Sequence, residues 1–187
     1  RSLVGSEMCI RDRMTSKTTS HKTDVGGVRV GIASEEALRR EYRDLIAKLT
    51  ERGLDKGLEG VLIQEMVKSS REMVCGLATD PQYGPMIMFG LGGVFVEVLK
   101  DISFRIAPLT DQDASEMVRS VKAWKLLEGV RGLPRAQTDK IEETLLRLSQ
   151  LVTDFPRVSE LDINPLMISD KDGEAIAVDA RVKLAKA

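Results

Sequence analysis

The sequence predicts an α+β fold built from two lobes. The predicted elements run strand, helix, strands, two helices, strands, and this order lacks the regular βαβ alternation of a doubly wound parallel sheet. Turn-forming residues at 80–84 and 170–173 join neighbouring strands in the way that hairpins do. The length of 187 residues is enough for one large domain or for two small lobes with a real core.

The first half of the chain predicts one helix among several strands. Residues 28–32 alternate as a short strand, and Ser34 is placed to cap the helix that follows it. Gly53 ends this helix, whose apolar stripe consists of Leu38, Tyr42, Leu45, Ile46 and Leu49. Further strands are predicted at 60–67, 71–80, 85–89, 94–99 and 102–107, with a break at the glycines of 90–93.

The second half predicts two helices and a final group of strands. Residues 111–128 carry apolar side chains at helical spacing. The next helix has Asp139 as its N-cap and Glu142 as the capping-box acid, and its apolar stripe is Ile141, Leu145, Leu148 and Val152. Strands near 158–163, 166–169 and 174–179 close the chain, and a hairpin at 170–173 joins the last two.

The composition excludes several classes of function. A formal net charge of -1 gives no field that would attract nucleic acid or an anionic membrane, and 4% aromatic residues argue against base-stacking surfaces. No apolar run approaches the roughly 20 residues that a membrane-spanning helix needs. Cys9 and Cys75 have neither metal-site spacing nor a disulfide framework. We therefore expect a cytoplasmic protein that binds neither nucleic acid nor a membrane.

The first thirteen residues, RSLVGSEMCIRDR, differ from the rest of the chain. They show no helix or strand period and no signal-peptide layout, because no apolar stretch of adequate length lies between their charges. We interpret residues 1–13 as a leader foreign to the fold, arising from a cloning scar, an assembly artefact or a misread upstream region. Residues 14–187 are then part of one domain whose natural chain began earlier.

Two acids and an amide lie near the C-terminus on strands that are predicted to pair. Asp162 and Asn164 point to the same face of one strand because side chains alternate, and Asp179 closes the next. Such oxygen ligands suit Mg²⁺, which keeps several waters and relies on substrate phosphates. From the residues alone, a solvated strand with an Asn-Pro bend is the simpler explanation.

Seven short motifs follow one another in an order shared with a known family. They are HKTDVGGV (21–28), QEMV (64–67), RE (71–72), DPQYGP (80–85), FGLGG (89–93), EVLKD (97–101) and ELDINPL (160–166). Each is weak alone, but their joint order is specific. From about His21 to Leu184, the chain strongly resembles the ATP-grasp, beta-type subunit of ADP-forming acyl-CoA synthetases, typified by acetate–CoA ligase.

The resemblance implies a partial, two-lobed ATP-grasp fold that is related more distantly to the succinate–CoA ligase beta subunit. Family members carry further strands and a phosphate-binding lysine shortly before the HKTD motif. Residues 11–20 lack the expected apolar strand, and Lys17 is not a safe substitute for that lysine. We therefore expect the chain to be truncated at its N-terminus and to lack one wall of the nucleotide lobe.

The resemblance also implies an enzyme, an ADP-forming acid–CoA ligase. In this family a CoA-binding alpha-type subunit or fused domain converts acyl-CoA and phosphate to acyl phosphate and CoA. It then takes the phosphoryl group onto a histidine and releases the acid. The ATP-grasp half then transfers that group reversibly to ADP with Mg²⁺, and it meets the acyl-CoA or acid only through its partner. One alternative is a non-catalytic or regulatory module of a fused protein acetyltransferase, and another is a succinate-type beta subunit.

Site residues carry over from the family position by position. Asn164 and Asp179 correspond to the Mg²⁺-binding pair, with Asp162 beside them. The hinge between the lobes, where backbone groups and an acid meet adenine and ribose, corresponds to Gln64, Glu65, Met66 and Val67. Glu72 is implied as a further nucleotide contact. From the residues alone, an amphipathic strand explains the hinge segment equally well.

His21 is the only histidine of the chain and opens the HKTDVGG motif. The resemblance makes it a candidate phosphoryl carrier, and a neutral imidazole is a competent nucleophile near pH 7. Lys22 would offset phosphate charge, and Gly26 and Gly27 would let backbone N–H groups approach the phosphate. Without the family motif, a lone histidine is more simply a surface or cap residue.

Three further features have both a functional and a structural explanation. The glycines at 90, 92 and 93 form either a phosphate-approach loop or a bend between strands. Arg105 is either a phosphate clamp, a partner of Asp101 or a surface residue. Trp124 is expected to pack in the fold or against a partner subunit.

Overall fold

The computed structural model describes residues 8–14, 28–53, 58–67, 71–92, 101–130, 132, 134–169 and 173–185. The chain divides into two compact units, Arg1–Met66 and Val67–Ala187, in agreement with the two predicted lobes. Within the described ranges, no helix has the length and apolarity that crossing a membrane would require.

The N-terminal unit is a three-stranded antiparallel sheet with one helix. The sheet has the order β2–β1–β3, and its elements are β1 (Met8–Met14), β2 (Val28–Ile32), α1 (Glu35–Glu51) and β3 (Leu58–Glu65). The central strand β1 pairs with both neighbours. The interpretation that residues 1–13 have no strand pattern and lie outside the fold is therefore wrong for residues 8–13, which belong to β1. Backbone hydrogen bonds can pair a strand whose side chains do not alternate between apolar and polar, so the sequence pattern did not reveal β1. The foreign origin of residues 1–13 stays a prediction.

Helix α1 begins and ends as its sequence predicts. The Ser34 Oγ accepts the Ala37 N–H at 3.2 Å, which satisfies one of the free donors of the first turn. Gly53 follows the last turn with a φ of +66°, a conformation that costs glycine little, and its N–H donates to Thr50 O at 2.9 Å. Leu45 and Leu49 of the predicted stripe are fully buried and pack with Ile32.

The C-terminal unit is an antiparallel sheet with helices. Its strands follow the order β6–β5–β4–β7–β8, and β9 pairs with β7 on the same side as β8. The strands are β4 (Arg71–Asp80), β5 (Gly84–Leu91), β6 (Ile102–Ile106), β7 (Val158–Ile168), β8 (Ala175–Ala177) and β9 (Ala180–Leu184). The helices are α2 (Asp111–Ser120), α3 (Trp124–Leu127) and α4 (Thr138–Asp154).

One face of this sheet packs against the helices and the other does not contribute to that core. Leu161 and Ile163 of β7 join the buried cluster, whereas the alternate residues Glu160, Asp162 and Asn164 are exposed. The cluster also takes in the predicted stripe of α4 together with Cys75, Leu77, Ile87, Phe89, Met117 and Val118. We call the side that carries Asp162 and Asn164 the open face.

Three predicted boundaries in this unit are wrong for local reasons. The helix predicted at 111–128 ends at Ser120, because the buried Asp101 carboxylate accepts the N–H groups of Lys122 and Ala123 at 2.7 Å each. These two bonds start a new turn that leads into α3. Asp139 is not the N-cap of α4, since Gln137 holds that position without a side-chain bond. The strands predicted at 158–163 and 166–169 form the single strand β7.

The glycines of the predicted break lie where backbones approach closely. Gly90 is inside β5, and a Cβ there would lie 2.4 Å from Asp101 O. A Cβ on Gly92 would lie 2.7 Å from Met73 O. Because contacts under 3.0 Å do not occur for real Cβ atoms, packing alone requires glycine at both positions. Gly93 lies outside the described residues.

Candidate functional site

The residues predicted for the nucleotide site fall into three groups. His21, Lys22, Gly26 and Gly27 lie outside the described residues. The hinge segment passes from one unit to the next, since Gln64 and Glu65 end β3, Met66 is the last residue of the N-terminal unit and Val67 is the first of the C-terminal unit. Glu72 is an exposed residue of β4, and the predicted metal ligands lie on β7 and at the β8–β9 junction.

Backbone hydrogen bonds bring Asn164 and Asp179 together. The Asn164 N–H donates to Asp179 O at 3.1 Å, and the Val178 N–H donates to Pro165 O at 3.1 Å. β7 pairs with β8 through Leu166 and Ala177 and with β9 through Ile163 and Ala180. The Asn164–Pro165 step therefore faces the junction between these two strands, where Asp179 lies.

Asp162 lies two residues before Asn164 on the open face. It is paired with Gly76 of β4 on one side and with Arg181 of β9 on the other. Directly paired residues of an antiparallel sheet present their side chains to the same face. Arg181 therefore lies on the open face beside Asp162.

The electrostatics of this corner are those of two nearby carboxylates and a guanidinium. Partial burial raises the pKa of Asp162 most, the Arg181 charge lowers it, and the Asp179 carboxylate raises it. Behind this strand, burial and then the Asp162 charge raise the pKa of the Cys75 thiol to about 12. Cys75 therefore stays a neutral thiol near pH 7, and a cation placed beside Asp162 and Asp179 would relieve their repulsion.

Gly76 lets β4 and β7 lie close together at the site. A Cβ at this position would lie 2.3 Å from Leu161 O and 3.3 Å from Asp162 Cα. Since both obstacles are backbone atoms of β7, a side chain at position 76 would displace the strand that carries Asp162 and Asn164. Nothing in the sequence around Gly76 indicates this role, because only the strand register places Gly76 opposite Asp162.

The donor set fits a cation that is shared with a ligand. Among the residues that the structure describes, no three His, Cys, Asp or Glu side chains lie together as a metal-binding group. A Mg²⁺ ion that keeps its waters and binds substrate phosphates requires only one or two carboxylates from the protein. Asn164, Asp162 and Asp179 meet that requirement and fall short of a closed, all-protein cage.

Three other charged residues have partners within the C-terminal unit. The guanidinium of the buried Arg71 donates to the main-chain oxygens of Leu126, at 3.1 Å, and Pro134, so it fixes the segment around α3. Arg105 faces α2, where it lies 3.8 Å from a Glu116 oxygen. Asp101 is a backbone cap, so the expected pairing of Asp101 with Arg105 is not observed.

Trp124 packs within the fold, which was one of the two possibilities that the sequence left open for it. It is partly buried and packs against the main core cluster. The Arg119 guanidinium lies over its ring at 6.0 Å from the centroid, which is the limit for a cation–π contact.

A comparison with protein families decides the class of this fold. Residues 12–184 match the family model described as an ATP-grasp domain. The chain belongs to the ATP-grasp family. The antiparallel sheet and the two units therefore belong to an ATP-grasp fold, as the motif order predicted.

Curated relatives narrow the family to beta subunits or domains of ADP-forming acetate–CoA ligases. The chain is 46% identical over 172 residues to acetate–CoA ligase (ADP-forming) I of Archaeoglobus fulgidus, covering 92% of this chain and 25% of that protein. It is 40% identical over 172 residues to the beta subunit of the corresponding Pyrococcus furiosus enzyme, covering 92% of this chain and 73% of that subunit. The chain therefore spans a quarter of the first relative and nearly three quarters of the second.

Solved structures agree with this assignment. The Ca. Korarchaeum cryptofilum dinucleotide-forming acetyl-coenzyme A synthetase 1, in complex with coenzyme A and Ca-AMPCP, superposes with a TM-score of 0.88 at 40% identity, covering 97% of this chain and 78% of that one. A second complex of that synthetase holds coenzyme A and Mg-AMPPCP, with its phosphohistidine segment pointing towards the nucleotide binding site; its TM-score is 0.80 at 39% identity over 95% of this chain and 76% of that one. A Methanothrix soehngenii ATP citrate lyase, at 17% identity and a TM-score of 0.59, shares the fold alone.

Proposed function

We propose that this ATP-grasp domain is the nucleotide-binding half of a cytoplasmic ADP-forming acid–CoA ligase. The observation that carries the proposal is the backbone pairing that holds Asn164 against Asp179, with Asp162 on the same open face. The relatives that share 40–46% identity with this chain are ligases of that name. A solved structure at 39% identity holds Mg-AMPPCP.

In this proposal the Asn164 amide oxygen and the Asp179 carboxylate hold Mg²⁺, and Asp162 supports them. The ion supplies charge neutralisation for the transferring phosphoryl group. The chain's own residues fix the direction from which the phosphates arrive, because Asn164 lies on β7 and its backbone is hydrogen-bonded to Asp179 at the junction of β8 and β9. Gln64, Glu65, Met66 and Val67 supply the contacts to adenine and ribose, with Glu72 as a further contact.

The proposal also assigns a partner and a phosphoryl carrier. A CoA-binding alpha-type subunit, or a fused domain, converts acyl-CoA and phosphate to acyl phosphate and CoA and carries a phosphohistidine. His21 is the candidate carrier on this chain, with Lys22, Gly26 and Gly27 around its phosphate. The acyl specificity belongs to the partner, in keeping with relatives named for acetate and for 4-hydroxybutyrate.

The test is nucleotide binding by titration calorimetry with and without Mg²⁺. The chain should bind ADP in a Mg²⁺-dependent way, and Asp179→Ala should weaken that binding by at least the roughly 10–100-fold typical for loss of a residue that supports a metal ligand. Asp80→Ala, which removes an acid from a distant exposed turn, should leave binding unchanged. Absence of Mg²⁺-dependent binding, or full binding by Asp179→Ala, would refute the proposal.

The same preparation tests the carrier when it is combined with an alpha-type partner. Labelled phosphate should enter this chain in the presence of acyl-CoA, and His21→Ala should abolish that incorporation while Mg²⁺–ADP binding persists. Unchanged labelling of His21→Ala would remove His21 from the mechanism and leave the nucleotide site standing. Failure to form acyl-CoA from any short acid would instead favour a regulatory module.

A further inference from the structure

Arg181 lies beside the candidate metal ligands and has no role in the function proposed so far. It is the β9 residue directly opposite Asp162, and Lys183 of the same strand is opposite Glu160. The Cβ atoms of such directly opposed residues are about 4.5–5.5 Å apart. The Lys183 Nζ lies 2.6 Å from a Glu160 oxygen, so the basic residues of β9 do share the open face with the acids of β7.

The charge of Arg181 acts on the candidate site. The strand register puts its positive charge on the open face directly opposite the Asp162 carboxylate. Asp162, Asp179 and Arg181 together carry one net negative charge, and a bound Mg²⁺ would make that charge positive. A guanidinium and a divalent cation repel each other, and an anion that lies between them offsets that repulsion. A phosphate group bound to the metal is such an anion.

The other basic residues in the strands of this sheet are engaged elsewhere, within the part of the chain that the structure describes. Arg71 is buried and bound to main-chain oxygens. Arg105 pairs with Glu116 of α2, and Lys183 pairs with Glu160. Arg181 differs from them in its position, because it lies directly opposite Asp162 on the open face and two residues after Asp179.

We propose that Arg181 is a phosphate-binding residue that donates hydrogen bonds to the terminal phosphate of the bound nucleotide. Its partner is a nucleoside diphosphate or triphosphate whose metal ion is held by Asn164 and Asp179, so the inference rests on the proposed function. Arginine suits this role because its planar guanidinium presents two parallel donors to phosphate oxygens. Without nucleotide, the same group offsets the charge of Asp162.

The experiment compares ADP, ATP and AMP binding, each with Mg²⁺, in the full chain and its variants. Arg181→Gln should weaken ADP and ATP binding by about tenfold, the usual value of a charge-assisted hydrogen bond. Its effect on AMP, which lacks the terminal phosphates, should be within twofold. Arg181→Lys should bind ADP and ATP more tightly than Arg181→Gln but less tightly than the unaltered chain, since lysine keeps the charge but lacks the two parallel donors of the guanidinium.

The matched control is Lys183→Gln, which removes a basic residue from the same strand and the same face. It should leave the affinity for all three nucleotides within twofold. Equal weakening by Arg181→Gln and Lys183→Gln would reduce the effect to general surface charge and overturn the inference. An equal loss for AMP and ADP would overturn it too, since Arg181 would then act away from the terminal phosphate.

The outcomes also separate this inference from the function on which it rests. Mg²⁺-dependent ADP binding that is lost in Asp179→Ala but unchanged in Arg181→Gln would keep the proposed site and remove Arg181 from it. Absence of ADP binding by the unaltered chain would remove both. If Arg181→Gln unfolds, the comparison of Arg181→Lys with the unaltered chain decides: equal affinity for ADP excludes bidentate binding by the guanidinium.

Discussion

The two units of this ATP-grasp chain have hydrophobic cores of different size. The C-terminal unit packs α2 and α4 against its sheet, and it buries the polar side chains of Arg71 and Asp101. In the described part of the N-terminal unit, the buried cluster consists of Ile32, Leu45 and Leu49. The candidate metal ligands belong to the unit with the large core, so their geometry depends on that unit's own packing.

The N-terminal unit also leaves apolar surface open. A groove of about 640 Å³ runs between α1 and β3, and Leu38, Tyr42, Val61 and Ile63 line it together with charged side chains of α1. Ile63 is 46% exposed and Tyr42 is 44% exposed, although both belong to apolar patterns. Exposed apolar area gains nothing from burial, so these side chains add little to the core of the described part of this unit.

The largest expected difference comes from truncating one buried leucine in each unit. Leu145 of α4 and Leu45 of α1 are both fully buried. Leu145→Ala should lower the free energy of unfolding of the C-terminal unit by about 2–5 kcal/mol, because the cavity stays open in a well-packed core. Leu45→Ala should leave that unit unaffected.

Tryptophan fluorescence during urea unfolding makes this measurement, because Trp124 is the single tryptophan and packs in the C-terminal core. The midpoint should fall for Leu145→Ala and stay constant for Leu45→Ala. An equal fall for both variants would show that the two units unfold as one, and the comparison drawn here would then fail.

A smaller difference is expected between two aspartates that each cap two backbone N–H groups. Asp101 is buried and caps Lys122 and Ala123, whereas Asp80 caps Gln82 and Tyr83 in an exposed turn. Asp101→Ala leaves one buried and one partly buried donor unsatisfied and should cost about 2–4 kcal/mol. Asp80→Ala should cost about 1 kcal/mol or less because water replaces the lost carboxylate. Thermal unfolding of both variants ranks them, and similar losses would mean that burial does not set the cost.

The smallest difference concerns the N-caps of α1 and α2. Ser34 makes one capping bond, whereas Thr110 and Asp113 form a reciprocal capping box. Each cap is worth about 1 kcal/mol, so Thr110→Ala should cost slightly more than Ser34→Ala in urea unfolding at pH 7.

The capping box also predicts a dependence on pH. Hydrogen bonds from the Thr110 side chain and backbone hold the pKa of Asp113 below its usual value. Because the folded pKa is the lower one, this contribution is present above about pH 4 and is lost as the pH falls through the folded pKa. The difference between Thr110→Ala and the unaltered chain should therefore shrink towards pH 3, whereas a constant difference would contradict the role of Asp113.

The sequence pattern predicted those elements whose signals are local. Ser34, Gly53 and the stripe of α4 lie where periodicity and capping rules placed them. The break after Ser120 was not predictable, since it depends on Asp101, which is 21 residues away from Lys122 in the chain. The strand β1 was missed for a similar reason, because its partners are strands distant in sequence.

The sequence predicted those residues of the candidate site that belong to recognisable motifs. The hairpin signal predicted that the segments with Asn164 and Asp179 lie side by side. The Asn164 N–H does donate to Asp179 O, although β8 ends at Ala177 and Asp179 lies between β8 and β9. The neighbours of Asp162 did not follow, because Gly76 and Arg181 are brought to it by strand register alone. The alternation of apolar and polar residues does not specify which residue of one strand pairs with which residue of its neighbour.

Gly76 limits the sequence changes that this site can survive. Every missense change at a glycine codon introduces a Cβ, and at this position that atom would lie 2.3 Å from Leu161 O. The whole set of one-step replacements would therefore push β7 away from β4 at Asp162, whatever the chemistry of the new side chain. A residue that offers no functional group can thus be as intolerant of mutation as the acids proposed to bind the metal.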